Sequence, residues 1–148
     1  MMKMFKFGTD EQQLEIKNFF LNFLSQATYK QQLEVTKEFR ELLSESKQWI
    51  DKVIDTGIVL KLVEFLQRGD YKLQSEAAWA LSIITAGNSL QTSCVVDAGA
   101  SPVLVDLLTS PCENVQEQAV CCLGNIAIDG SEFRDLVLDH GILTPLIR

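Results

Sequence analysis

The sequence lacks the features that mark several large classes of protein. None of its apolar stretches approaches the ~20 residues that a membrane-spanning helix needs, so we expect no membrane partner. The segment from Met1 to Asp10 has no apolar core and no small-residue cleavage site, so we see no secretory signal. With one histidine and no C-x-x-C pair among four cysteines, we expect no metal or other cofactor. Reduced cysteines in an intracellular protein are the simplest interpretation.

Positive charge and catalytic signatures are also scarce. Thirteen Lys and Arg face twenty Asp and Glu, giving a net charge of −7 in 148 residues. That balance argues against direct nucleic-acid binding and favours a basic partner, although acids spread along a chain are commonly just solvated surface. No nucleophile–base pair, glycine-rich phosphate loop or pair of buried carboxylates is recognisable, so we expect no enzyme.

What the sequence does contain is a repeat of 42 residues. The blocks V-I-D-T-G, V-V-D-A-G and V-L-D-H-G end at Gly57, Gly99 and Gly141. Apolar positions stay in step between these glycines, and periods of about 40–47 residues are typical of armadillo and HEAT solenoids. We therefore predict an all-α, right-handed superhelical armadillo solenoid of about three to three and a half repeats.

Each repeat is predicted to contain three helices. The first ends at the glycine, which supplies a left-handed cap, and Ser101 is predicted to cap the second helix with Pro102 in its first turn. Residues 1–25 are expected to form a divergent N-terminal helix, followed by repeats over 26–148, the last of them truncated. The predicted second helices are 60–67 and 102–108, and the predicted third helices are 73–86 and 115–128.

The third helices carry two stripes at helical spacing. The core stripe is Leu73, Ala77, Ala80, Leu81 and Ile84, repeated as Val115, Ala119, Cys122, Leu123 and Ile126. The second stripe is Glu76, Trp79, Ile83 and Gly87, repeated as Gln118, Cys121, Asn125 and Asp129. Trp79 could be an ordinary core aromatic. However, the core stripe is complete without it, and on a concave surface its ring could lie against the side chain of a lysine or arginine.

Several strings of the sequence resemble those of one family. They are W-A-L from Trp79, G-N-S-L-Q-T from Gly87, V-Q-E-Q-A-V from Val115, L-G-N-I-A from Leu123 and F-R-D-L-V-L-D from Phe133. In order and spacing they resemble the armadillo domain of importin-alpha (karyopherin-alpha). That family carries Lys/Arg-rich nuclear localisation signals of cargo proteins, so the resemblance implies an adaptor of the cytoplasm and nucleus.

The resemblance also implies roles for individual residues. Gly87 and Thr92 would offer oxygens to a key lysine and Asp129 its countercharge, while Trp79, Gln118 and Asn125 match further peptide-binding positions of the family's groove. The family's Trp-x-x-x-Asn pair is broken twice. Ile83 stands in place of the first asparagine and Cys121 in place of the second tryptophan, so we expect weakened binding.

A further departure concerns the N-terminus. Residues 1–25 lack the arginine-rich segment through which the family recruits importin-beta, so we expect no such recruitment there. Two functions stay open at this point. The first is an importin-alpha-like nuclear import adaptor, and the second is a non-transporting pseudo-adaptor or interaction scaffold that sequesters cargo or binds another partner.

Overall fold

Helices account for the regular structure of residues 21–129, the part of the chain that the computed structural model describes. Residues 21–26 are helical, and no strand occurs in the described range, so the prediction of an all-α fold is confirmed. Seven further helices follow. They are α1 (Tyr29–Glu45), α2 (Trp49–Asp55), α3 (Ile58–Leu66), α4 (Tyr71–Thr85), α5 (Ser89–Asp97), α6 (Ala100–Leu107) and α7 (Glu113–Asp129).

The repeating glycines lie between the first and second helices of each repeat. Gly57 and Gly99 have φ angles of 81° and 84°, the left-handed conformation that glycine adopts without a steric penalty. Both occupy the N-cap position of the helix that follows. The second helices therefore begin two residues earlier than predicted, and the prediction that Ser101 caps α6 is wrong. Ser101 lies inside the first turn of α6 and is buried.

The third helices α1, α4 and α7 stack side by side. α4 makes its most extensive contacts with α7 and α1, and it also packs on α3 of its own repeat. All ten residues of the predicted core stripe are fully buried, which confirms that prediction. Val35, Phe39 and Leu42 of α1 are buried at the equivalent positions, so the repeat extends upstream of the first glycine block.

A glutamine ties the second and third helices together in every described repeat. The side-chain amides of Gln32, Gln74 and Gln116 donate hydrogen bonds of 3.2, 2.9 and 2.6 Å to backbone carbonyls eight residues upstream. Those carbonyls belong to Leu24, Leu66 and Leu108, at the ends of second helices. Because helix C-termini leave carbonyls without intrahelical partners, the glutamines satisfy them. The register of the repeat thus reaches Leu24.

The burial of this glutamine differs between repeats and gives a test of its contribution. Gln74 is buried and Gln116 is exposed. We expect Gln74→Ala to lower the free energy of unfolding by about 1–3 kcal/mol, because it leaves the buried Leu66 carbonyl unpaired. Gln116→Ala is the control and should cost less, because Gln116 is exposed and its hydrogen bond to the Leu108 carbonyl is only partly buried. Urea unfolding followed by circular dichroism measures both, and equal losses would contradict the assignment.

Asp70 connects the start of α4 to α1. Its carboxylate accepts hydrogen bonds from the Leu73 backbone N–H at 2.9 Å and from the Tyr29 hydroxyl at 2.6 Å. It is therefore both the N-cap of α4 and a link between neighbouring repeats. The hydrogen bond from Tyr29, with further help from the backbone of Leu73, holds the pKa of Asp70 below its ordinary value of 3.8.

This lowered pKa makes part of the folding stability depend on pH. A carboxyl whose pKa falls on folding stabilises the fold above its unfolded pKa and loses that contribution as pH falls through the folded value. We therefore expect wild type to exceed Asp70→Asn in stability at pH 7, and the difference to shrink below pH 4. Denaturant unfolding at both pH values measures it. In a Tyr29→Phe background the change of this stability difference with pH should be smaller. A stability difference that is the same at both pH values would refute the lowered pKa of Asp70 as its cause.

Some sequence predictions fall outside the described residues. Residues 1–20 of the predicted N-terminal helix and the truncated repeat beyond residue 129, including Gly141, belong to this group. Within residues 21–129, no helix is both long and apolar enough to cross a membrane.

Candidate functional site

The second stripe lies on the side of the helix stack that the core leaves open. Because α4 packs against both α1 and α7, outward residues of these three helices form one surface. In solenoids, stacked repeats create an extended concave surface of this kind. We call this surface the groove face. Its residues from the sequence prediction are Glu76, Trp79, Ile83, Gly87, Gln118, Cys121, Asn125 and Asp129.

Trp79 lies on the groove face and is in contact with a cation from the same chain. Its side chain is 40% exposed, which favours the surface interpretation over the core one. The guanidinium carbon of Arg40, from α1, lies 4.1 Å from the centroid of the Trp79 ring. Arg40 also donates through Nε and Nη2 to the two carboxylate oxygens of Glu76, at 2.8 and 3.3 Å. Arg40, Glu76 and Trp79 therefore form one compact unit, here called the Arg40 cluster.

Hydrogen bonds between α4 and α7 already use some of the side-chain groups that were predicted to bind a peptide. The Asn125 amide nitrogen donates to the Ser82 carbonyl at 3.0 Å and to the Thr85 hydroxyl at 3.3 Å. The Ser82 hydroxyl lies 3.3 Å from the Gln118 amide oxygen. Asn125 thus uses its donors within the chain. Its amide oxygen is the group left to accept a hydrogen bond from a ligand, and Gln118 keeps its amide donors.

The two positions that depart from the family pattern have different surroundings. Ile83 is half-buried and packs against the hydrophobic core, so it has no polar group to offer where an asparagine was expected. Cys121 is exposed, and its small side chain leaves open the space that a tryptophan would fill. The second repeat of the groove face therefore lacks an aromatic wall.

At the end of α7, the predicted countercharge Asp129 contacts the first residue of α5. Asp129 is half-buried, and one carboxylate oxygen accepts a hydrogen bond of 3.0 Å from the Ser89 hydroxyl. Ser89 is two residues beyond Gly87, so the structure brings Gly87 and Asp129 to the same end of the groove face. Ser89, which the sequence did not single out, places a hydroxyl beside the acid.

Thr92 and Gly87 also serve the local fold. Thr92 is 0% exposed, and its hydroxyl is within hydrogen-bond distance of the Thr85 carbonyl at 3.2 Å and the Asn88 carbonyl at 3.1 Å. Direct contact between Thr92 and a ligand therefore requires the first turn of α5 to open. Gly87 is half-buried, and a Cβ there would collide with the Gln91 amide, which belongs to the capping box of α5.

Arg40 was missed although the period contains a signal for it. Arg40 lies 42 residues before Ser82, so the two occupy equivalent positions on successive third helices. Their partners Glu76 and Gln118 are equivalent as well, and both contacts join residues 36 apart. The spacing could thus have paired Arg40 with Glu76, but only once the third helices were known to stack side by side.

The repeat itself matches a known family. The model of the armadillo/beta-catenin-like repeat matches residues 50–86 and 88–128, just over half of the chain. The chain belongs to the armadillo repeat family. The predicted armadillo solenoid is thereby confirmed, and 50–86 and 88–128 are two of its repeats.

Individual curated proteins are also similar to this chain, over most of its length. The chain is 54% identical over 119 residues to importin subunit alpha-1b of Oryza sativa subsp. japonica, covering 79% of this chain and 22% of the relative. It is 52% identical over 118 residues to importin subunit alpha-2 of Arabidopsis thaliana, covering 78% and 22%. The resemblance to importin-alpha is confirmed: this is an importin-alpha-like armadillo protein, and it spans about 22% of the length of these relatives.

Solved structures share the fold. An engineered protein superposes with a TM-score of 0.81 at 38% identity, covering 88% of this chain and 54% of its own. A designed armadillo repeat protein in complex with a (KR)4 peptide gives a TM-score of 0.80 at 28% identity, covering 98% and 62%.

Within residues 21–129 of this armadillo protein, no cluster of three or more His, Cys, Asp or Glu could hold a metal ion.

The two adjacent cysteines of α7 provide a test of which residues face the groove. Cys122 is fully buried, and burial raises its pKa to about 12, whereas Cys121 is exposed. Because the thiolate is the reactive species, iodoacetamide should modify Cys121 more than about a hundred-fold faster than Cys122 in the folded protein. Peptide mapping by mass spectrometry measures both rates. In urea the rates should converge, and similar rates in the folded chain would contradict this placement.

Proposed function

We propose that this armadillo protein is an importin-alpha-like nuclear import adaptor that binds Lys/Arg-rich signal peptides of cargo on its groove face. It acts in the cytoplasm and nucleus as a non-enzymatic binding protein. The observation that carries the proposal is the position of Asp129, an accessible acid on the same surface as Trp79, in a chain 54% identical to an importin alpha subunit. The designed relative bound to a (KR)4 peptide supports the same chemistry.

The lysine site of this proposal lies at the Asp129 end of the groove face. A lysine head there meets the Asp129 carboxylate, the Ser89 hydroxyl and the backbone around Gly87. Asp129 is half-buried, and hydrogen bonds to charged groups contribute about 1.5–3 kcal/mol. Next along the groove, the amide oxygen of Asn125 can accept from a peptide N–H, and Gln118 can donate to a peptide carbonyl.

Binding is expected to be weaker than in an adaptor with intact Trp-x-x-x-Asn pairs. Cys121 forfeits a cation–π contact, which contributes about 0.5–2 kcal/mol. Ile83 forfeits a hydrogen-bonding partner, which costs roughly a further 1–3 kcal/mol. Since ~1.4 kcal/mol corresponds to a factor of ten, the two losses amount to one to several decades in affinity.

A second candidate function draws on a different observation. The donors of Asn125 and the ring of Trp79 are both engaged by groups of the same chain. These contacts favour a non-transporting pseudo-adaptor or interaction scaffold that sequesters cargo or binds another partner. Binding that is insensitive to the basic residues of the peptide, or to salt, would favour this alternative.

Calorimetric titration with a short lysine-rich peptide tests the adaptor proposal. We expect Asp129→Asn to weaken binding by about ten-fold or more, because the lysine loses its countercharge. Asp55→Asn is the matched control, since Asp55 also ends a helix, is exposed, and lies on α2 outside the groove face. Wild-type affinity should fall as salt rises from 50 to 300 mM. Absence of binding, or equal affinities for both variants, would refute the proposal.

A further inference from the structure

The Arg40 cluster is a binding site already filled by the chain itself. Arg40 stacks on the ring of Trp79 at 4.1 Å and forms a two-point ion pair with Glu76. An aromatic face and a carboxylate are the two groups that recognise a guanidinium or ammonium from a basic peptide. Here both belong to the groove face, and both are in contact with a cation from α1.

The burial of the cluster makes this occupancy more than a surface contact. The side chains of Arg40 and Glu76 are 17% and 15% exposed. Ion pairs are screened less by salt when they are partly buried, and a bidentate arginine–carboxylate geometry adds to their strength. The hydrogen bond to Glu76 raises the pKa of Arg40, so the positive charge is present at every working pH.

We call the contact between two neighbouring third helices a seam. The seam between α4 and α7, next along the groove face, has no cluster equivalent to that of Arg40. At the positions equivalent to Arg40, Glu76 and Trp79 stand Ser82, Gln118 and Cys121, which carry neither charge nor aromatic ring. Within residues 21–129, the other cation–π contact places the Lys52 ammonium 5.0 Å from the Trp49 ring, on α2 and away from the groove face. The intramolecular cation is thus specific to the seam between α1 and α4.

We propose that Arg40 acts as an internal competitor for basic ligands. It covers the Trp79 ring and pairs with the Glu76 carboxylate, so the site for a basic side chain is confined to the Asp129 end of the groove face. The inference rests on the proposed function, because it concerns the same groove. A peptide lysine or arginine opposite the cluster finds the ring covered and the carboxylate already paired, so a basic residue gains nothing there and a neutral residue is accepted equally well. Arg40 therefore determines both affinity and the pattern of charge that the groove accepts.

Removing the competitor should increase the affinity for basic peptides. Arg40→Gln exposes the Trp79 ring and releases the Glu76 carboxylate, so a lysine-rich peptide should bind about two- to thirty-fold more tightly, the range of one cation–π contact. Salt dependence should become steeper, because one more unpaired acid faces the ligand. Arg40→Met, which releases the Glu76 carboxylate but keeps an apolar stem against the ring, should give a smaller gain in the same direction and guards against misfolding of the first variant.

Lys52→Gln is the matched control. It removes the same charge and the same class of contact, but outside the groove face. If the gain came only from the change in net charge, Lys52→Gln would give it too. Thermal unfolding of each variant by circular dichroism confirms that the proteins compared are folded.

Calorimetry of wild type and these variants, with the same lysine-rich peptide, separates the inference from the proposed function. Tighter binding by both Arg40 variants than by wild type and Lys52→Gln supports the inference. This holds even if wild type binds too weakly to measure, in which case only the adaptor function of wild type fails. If wild type binds and the Arg40 variants bind equally or more weakly, Arg40 does not compete with the peptide, and the inference is overturned. If no variant binds, both are overturned.

Discussion

Burial of one stripe of each third helix is the constraint on which the rest of this structure depends. In α4, Leu73, Ala77 and Leu81 are fully buried in the hydrophobic core. The alanines among the buried positions let the helices approach closely, because a small side chain occupies little of the space between two helices. Once this stripe faces inward, the rotation of the helix is fixed. Trp79, which lies outside this stripe, then faces the groove.

The same contacts within and between repeats recur along the chain. A side-chain glutamine amide closes each repeat on its own second helix, and third-helix residues 36 positions apart meet across each seam. Stability in such a solenoid is approximately a sum over repeats and their nearest-neighbour interfaces. A change at one seam therefore alters the groove locally. The cluster around Arg40 can differ from the seam between α4 and α7 without any change in the fold.

The predicted binding residues fared unequally for a physical reason. Trp79 and Asp129 are accessible on the groove face, as the helical spacing indicated, while Thr92 is buried under two carbonyls. Spacing along one helix predicts the side of that helix on which a residue lies. Thr92 lies on α5 and was predicted from the family resemblance; its burial depends on how the first turn of α5 packs against the end of α4, which spacing along a third helix does not predict.

The sequence by itself determined the period, the buried stripe and the left-handed glycines, since each of these arises from contacts within one repeat or from backbone sterics. It also placed the chain in its family. Only the tertiary structure decided that Arg40 stacks on Trp79 and that the Ser89 hydroxyl donates a hydrogen bond to Asp129. The same holds for the hydrogen bonds that the Asn125 amide donates to α4. These pairs join residues about 40 positions apart. Their distances depend on how two helices pack side by side, and hydrophobic periodicity within a single helix carries no information about that.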